Sequence, residues 1–129
     1  MTTFINLTPH ALRLRVVAED TNPEPREDDI VIPPALGADG KSASARVATT
    51  PGGVIGDAGG VPIYAPTAWG GVVGLPDPAA GTIFVVSGMV AVRVSDRPDV
   101  VCPGTGPNDS PVRTAAGQIF AITRLNQAG

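Results

Sequence analysis

The chain has 129 residues, with 16 Gly, 14 Pro and a formal net charge of −3, and one domain accommodates that length. It holds one His, one Cys, one Trp and one Tyr, so catalytic sites that need two matched titratable groups are hard to assemble. The sequence pI is about 4.9, and no basic run is present, which argues against a nucleic-acid-binding surface.

The first half of the chain predicts short strands separated by Gly and Pro turns. Apolar residues alternate with Arg13 and Arg15 over residues 11–17, as in a half-buried strand. Shorter apolar runs predict the other strands of this half, at 3–7, 30–32, 43–49, 61–64 and 72–73. Residues 51–60 carry five glycines and predict a Gly-rich loop, which lacks the Lys-Ser/Thr of a phosphate-binding loop.

Half of the acidic residues lie in one short segment. Its members are Glu19, Asp20, Glu24, Glu27, Asp28 and Asp29. Because so many neighbouring carboxylates cannot be desolvated together, we predict that residues 18–29 form an acidic surface loop. Replacing residues 20–28 by a short Gly/Ser bridge should leave the fold intact.

The strongest strand signal lies in the second half. The continuous apolar run at 82–86 predicts a central, fully buried strand. Residues 88–94 are ambiguous, because valines alternate there as in a strand, whereas Ser87 could cap a short helix. Further on, residues 100–102 predict a strand and 103–111 predict a loop.

A closing hairpin is predicted over residues 111–125, around a turn at 115–117. Together these elements predict a single, mainly β domain over residues 1–129. The expected architecture is a compact antiparallel β-barrel or sandwich-like fold with at most one short helix, near 88–94.

The compartment is predicted from what the sequence lacks. Cys102 ends an apolar run and is expected to be a small buried hydrophobe rather than a reactive thiol; a single Cys also predicts no disulfide and no metal pair. The N-terminus has no signal-peptide pattern, and no apolar run approaches the ~20 residues of a membrane span. We therefore expect a soluble, cytoplasmic protein without a metal or other cofactor.

A compact phrase opens the chain, Ile5-Asn6-Leu7-Thr8-Pro9-His10-Ala11. Further blocks follow in order at 45–47, 74–76, 81–87, 97–100, 103–104, 112–113 and 117–119. This arrangement resembles a family of small uncharacterised proteins of tailed phages, prophages and bacterial genomes. The acidic segment and a lengthened 103–111 loop depart from that family's pattern. The resemblance implies a phage or prophage accessory role and a short helix after Ser87, without implying a mechanism.

The opening phrase contributes candidate site residues. Asn6, Thr8 and His10 alternate, so an extended chain would project them from one face, where they would either line a site or satisfy a turn. A lone His with no carboxylate before Glu19 is more often a structural hydrogen-bonding group than a base.

Arginines supply the other candidates. Arg97 lies on a turn between Asp96 and Asp99, where it would either form an internal ion pair or bind an anion through its guanidinium group. The arginines that would converge on such an anion are Arg97, Arg113, Arg93 and Arg46. Trp69 lies beside glycines and is either a core anchor or a platform for a ligand or interface.

Two classes of function remain. The first is a non-enzymatic binding module that holds a small anionic, nucleotide-like ligand or a host protein, in counter-defence or regulation. The second is a structural protein that forms or decorates a larger oligomeric particle; short strands with exposed edges favour a homo-oligomer. An enzyme ranks third because the polar inventory is thin.

Overall fold

The computed structural model describes residues 2–16 and 21–128. Within them the chain forms short strands and a four-residue helix. In chain order these elements are β1 (Thr3–Asn6), β2 (Leu12–Leu14), β3 (Ile30–Ile32), β4 (Arg46–Thr50), β5 (Val54–Ala58), β6 (Val61–Tyr64), β7 (Ala68–Val73), β8 (Thr82–Val85), α1 (Gly88–Ala91), β9 (Val100–Pro103), β10 (Val112–Arg113), β11 (Ile119–Ala121) and β12 (Leu125–Gln127).

The central sheet has four strands in the order β1-β8-β9-β12. Strands β1 and β9 both run parallel to β8, whereas β12 runs antiparallel to β9. The pairing continues one residue past β1, where the Leu7 amide donates to the Val85 carbonyl at 2.8 Å. Segments separated by about two thirds of the chain are therefore hydrogen-bonded to one another.

Strand β8 lies at the centre because its side chains are apolar on both faces. Phe84 is 2% exposed, and Val85 and Val86 are fully buried. A continuous apolar run is typical of a parallel strand that is covered on both faces. The core packed around it consists of Leu7, Ala45, Val47, Phe84, Val86, Val90, Ala91 and Val100.

Two small antiparallel pairs flank the central sheet, β2 with β3 and β10 with β11. They are joined to each other at Ile122, whose amide donates to the Arg13 carbonyl at 2.9 Å and whose carbonyl accepts from the Arg15 amide at 2.7 Å. The closing segment of the chain is thereby fixed to its opening segment.

Residues 46–73 form a long two-stranded β-ribbon. Strand β4 pairs with β7 at its root, and β5 pairs with β6 towards its tip. The tip is a two-residue turn in which Gly59 and Gly60 have φ of 62° and 93°, the positive values that a type I′ hairpin turn requires. Between the two pairs the strands come so close that a Cβ at Gly52 would collide with the Ala65 carbonyl oxygen.

The predicted mainly β class is confirmed, and so is the short helix, since α1 begins at Gly88 within the predicted range. Of the two predicted arrangements, an antiparallel barrel or a sandwich-like fold, the barrel is not formed, because the sheets do not close. The central pairs β1–β8 and β8–β9 are also parallel and not antiparallel. Parallel pairing needs a long crossover connection, which local alternation of residues does not reveal.

The segment 51–60 differs from its prediction as a Gly-rich loop, because it contains β5. The β-branched Val54 and Ile55 favour a strand, and the paired glycines supply the turn that ends it. The predicted closing hairpin is shorter than expected, since β12 pairs with β9 in the central sheet.

The acidic segment is anchored by its last residue. Residues 18–20 lie outside the described residues, and Glu24, Glu27 and Asp28 are exposed. The Asp29 side chain is fully enclosed, and its Oδ1 accepts a hydrogen bond from the buried Arg15 Nε at 2.7 Å. That hydrogen bond, helped by the Arg26 amide and Arg13, lowers the pKa of Asp29 from its ordinary 3.8 to about 2.

Phe84→Ala tests the importance of the central strand. Deleting a fully buried ring costs about 3–5 kcal/mol, a large part of the stability of an ordinary domain. Phe4→Ala is the matched control, because Phe4 is 39% exposed, and we expect it to cost about 1 kcal/mol. Urea unfolding measures both variants; equal losses would contradict the assignment of β8 as the core strand.

Asp29→Asn should lower the thermal unfolding midpoint at pH 7, whereas Asp28→Asn, which alters an exposed neighbour, should not. Because folding lowers the pKa of Asp29, the stability it contributes is complete above about pH 4 and is lost as the pH falls towards 2. Melting curves from pH 7 to 2 should therefore converge for the wild type and Asp29→Asn. A constant difference between the two proteins at every pH would contradict this role.

Candidate functional site

A cleft of about 320 Å³ opens where the three parallel strands end. Thr8 and His10 follow β1, Ser87 and Gly88 follow β8, and Thr105 follows β9, and all five residues line the cleft. Because parallel strands point in one direction, the segments that follow them meet at one edge of the sheet. In open sheets with helical crossovers, that edge is the usual place for a ligand.

One wall of the cleft is apolar. It is formed by side chains from β2, β11 and the residues next to them, and by the last residue of β9, namely Ala11, Leu12, Ile119, Ile122 and Pro103. The remaining lining residues contribute the hydroxyl groups of Thr8, Ser87 and Thr105 and the imidazole of His10. Mostly apolar walls with a few polar groups are typical of small-molecule sites.

Asn6 organises the turn that carries His10. Its Nδ2 donates to the carbonyl oxygens of His10 at 2.9 Å and Ile32 at 3.0 Å. Its Oδ1 accepts from the Thr8 amide at 3.0 Å and the Thr8 hydroxyl at 2.6 Å. Of the two alternatives for this triplet, the buried Asn6 holds a turn, while the exposed His10 lines the cleft.

Arg113 is the candidate arginine that contacts the cleft's residues. It lies on β10, and its Nη2 donates to the carbonyl oxygen of Thr105 at 3.2 Å. Its Nη1 donates to the Gly117 carbonyl in the β10–β11 turn at 2.9 Å. The guanidinium group thus joins the segment after β9 to the turn before β11, and it contacts Thr105, which lines the cleft.

Arg97, the leading candidate from the sequence, lies elsewhere. It precedes β9, at the opposite edge of the central sheet, and its Nε and Nη2 each donate to the Asp99 carboxylate at 2.8 Å. Nη2 also donates to the Pro76 carbonyl at 3.0 Å. This hydrogen-bonded pair raises the pKa of Arg97 and lowers that of Asp99. The geometry is that of the internal ion pair, the first of the two alternatives.

The other two arginines do not join Arg113 either. The Arg93 guanidinium lies 5.1 Å from the centroid of the Trp69 ring, and its Nη1 donates to the Met89 carbonyl. Arg46 is exposed at the start of β4. Trp69 is 52% exposed on β7 and is therefore a surface platform, not a core anchor. The structure does not bring the four arginines together.

Sequence reasoning missed most of the cleft's lining. From the sequence, Ser87 is recognised only as a possible helix cap, and Thr105 and Ile122 are not recognised as site residues. Their common feature is position: each lies just after a strand of the central sheet or beside one that closes the cleft wall. This shared position can be recognised only once the central strands are known to be parallel.

Other chemistry is limited among the described residues. The half-buried Cys102 has a raised pKa, because burial and then Asp109 disfavour its thiolate, so the thiol is protonated at neutral pH. No group of three or more His, Cys, Asp or Glu side chains in residues 2–16 and 21–128 is arranged to hold a metal ion. Within the same ranges, no helix is long and apolar enough to cross a membrane.

Comparisons with known proteins leave the site to be interpreted from its own geometry. No family model matches the sequence, and neither a curated protein nor a solved structure matches it. The function proposed below therefore depends on the contacts and the lining of the cleft.

Arg97→Ala should destabilise the protein by about 1 kcal/mol, because it removes a charge-assisted, partly solvent-screened pair and leaves Asp99 without its guanidinium partner. Arg97→Lys should recover only part of the loss, since an ammonium group cannot make the two parallel hydrogen bonds. Arg46→Ala is the control at an exposed position and should change the stability by less than about 0.5 kcal/mol. Chemical denaturation compares the three; an unaltered Arg97→Ala would contradict the structural role.

Proposed function

We propose that this protein is a non-enzymatic binding module whose cleft holds a small anionic, nucleotide-like ligand. The observation that carries the proposal is the convergence of three strand ends on one cleft of about 320 Å³. Ligand-binding clefts span roughly 300–1,000 Å³, and a value at the lower end favours a single nucleotide unit over a larger ligand.

The charge around the cleft favours an anion. His10 is the titratable residue among those that line it, and none of the described lining residues carries a carboxylate. The Arg113 guanidinium adds a positive charge next to Thr105. An apolar wall suits a planar base or another flat group, while hydroxyl groups and the guanidinium suit a phosphate.

The resemblance to phage and prophage proteins suggests a use for such binding. A protein that sequesters a nucleotide-like signal inside the host cell, in counter-defence or regulation, needs a tight site and no turnover. The cleft has few titratable side chains, which is compatible with this task, because binding a ligand requires complementary shape and charge and does not require an acid–base pair.

A thermal-shift screen with nucleoside monophosphates, cyclic mononucleotides and cyclic dinucleotides tests the proposal. A ligand that binds the folded state raises the unfolding midpoint by mass action. For the strongest probe, calorimetry should show an affinity at least about tenfold lower in His10→Ala and Arg113→Ala, the loss expected for a charge-assisted hydrogen bond. Ala11→Phe should also weaken binding by filling the cleft.

Arg97→Ala is the control for that experiment, because its side chain lies at the other edge of the sheet. Its affinity for the probe should equal that of the wild type after correction for the folded fraction. The proposal is contradicted if no probe stabilises the protein, or if well-folded His10→Ala, Arg113→Ala and Ala11→Phe all keep the wild-type affinity.

A second candidate function is that of a structural protein in a larger assembly. The observation that favours it is the β-ribbon, whose two outer strands β5 and β6 are exposed along their whole length. An isolated two-stranded hairpin is marginally stable in water, so a ribbon of this kind is expected to be covered in use.

A further inference from the structure

The β-ribbon exposes a concentration of large apolar side chains. Its exposed large side chains are Val54, Ile55, Val61, Ile63, Tyr64, Trp69 and Val73. Asp57 is the one charged residue between positions 47 and 73. A monomeric protein rarely exposes a continuous apolar patch of more than a few hundred Å².

One face of the ribbon is apolar throughout its outer half. Ala58 is directly opposite Val61, and Gly56 is opposite Ile63, and residues directly opposite each other in an antiparallel pair share a face. The other face carries Asp57 opposite Pro62. The outer half of the ribbon therefore presents one uncharged, apolar face.

The area of the whole molecule indicates that a surface is left uncovered. The accessible surface of the chain is 8114 Å², whereas a compact monomer of 13.0 kDa exposes about 6,300 Å². The excess is on the order of 1,800 Å². A standard interface buries about 800 Å² on each partner, so the excess exceeds what one stable contact requires.

We propose that a second copy of this chain covers the ribbon, with the Ala58, Val61 and Ile63 faces of the two copies packed against each other about a two-fold axis. A two-fold axis brings identical patches together, so the patch must be compatible with itself. Asp57, the one charged residue between positions 47 and 73, lies on the other face of the ribbon. Packing two copies through the Ala58, Val61 and Ile63 face therefore brings no like charges together.

This contact is independent of the proposed ligand site. The cleft lies among the segments that follow β1, β8 and β9, and none of its lining residues belongs to the ribbon. Binding in the cleft can therefore fail while self-association holds, and the reverse is also possible.

Sedimentation velocity at tens of micromolar, about where a weak association already populates dimers, tests the proposal. The wild type should sediment as a multiple of 13.0 kDa, and Val61→Glu/Ile63→Glu should sediment as a monomer with an unchanged circular dichroism spectrum. Leu36→Glu is the control, because Leu36 is 69% exposed outside the ribbon; it should keep the wild-type mass.

A cross-link covers the case in which the double variant does not fold. Val61→Cys places a thiol close to the proposed axis and should form a disulfide-linked dimer under mild oxidation, whereas Leu36→Cys should not. A monomeric wild type, including one that instead binds another protein or lipid vesicles through the ribbon, overturns the proposal. An oligomer that survives Val61→Glu/Ile63→Glu, or a Val61→Cys variant that does not cross-link, overturns it as well.

Discussion

The parallel pairing of β8 with β1 on one side and β9 on the other is the constraint on which the rest of the structure depends. Local contacts do not produce it, because β1 and β8 lie at opposite ends of the first two thirds of the chain. It forms because Phe84, Val85 and Val86 bury β8 on both faces, and a buried strand needs hydrogen-bonding partners for its backbone along both edges, which β1 and β9 provide. Once the strands are parallel, the segments that follow them leave from one edge, and the cleft results from that common direction.

The same small core explains why the β-ribbon stands apart. With few aromatic residues, the core is mostly aliphatic, and it reaches the ribbon only at its root, where Val47 is buried and Val72 is partly buried. Beyond that point no core side chain contributes, and the backbone pairing of β5 with β6 holds the ribbon. The molecule therefore has two distinct surfaces with different chemistry: a concave one with hydroxyl and imidazole groups beside the Arg113 guanidinium, and the exposed apolar face of the ribbon.

Much of the fold could be predicted from the sequence, because alternation and apolar runs report burial along a strand. The strands near 3–7 and 82–86 are cases of this kind, whereas alternation left the segment after Ser87 open between strand and helix, and the helix was implied by the resemblance. Strand direction could not be predicted, since it depends on partners far away in the chain.

The candidate site could be predicted only in part, for the same reason. His10 was identified because it is the one histidine in the chain, whereas Ser87 and Thr105 become candidates only when the ends of the parallel strands are known. Arg97 and Asp29 show a second limit of sequence analysis. A charged residue in a turn has the same sequence pattern whether it binds a ligand or, as in this protein, forms an ion pair with another side chain.

The direction of the central strands and the proposed ligand site meet in one measurement, the map of amide chemical-shift changes in ¹⁵N-labelled protein titrated with the best nucleotide probe. The account predicts changes at Thr8, His10, Ser87, Gly88 and Thr105, the residues that follow three strands far apart in sequence, and none around Arg97 or in the ribbon. Saturable changes confined to the Arg97–Asp99 turn or to the ribbon would contradict this prediction. The absence of any change at a millimolar concentration of the probe would contradict it as well, because binding would then be weaker than a free energy of ~4 kcal/mol.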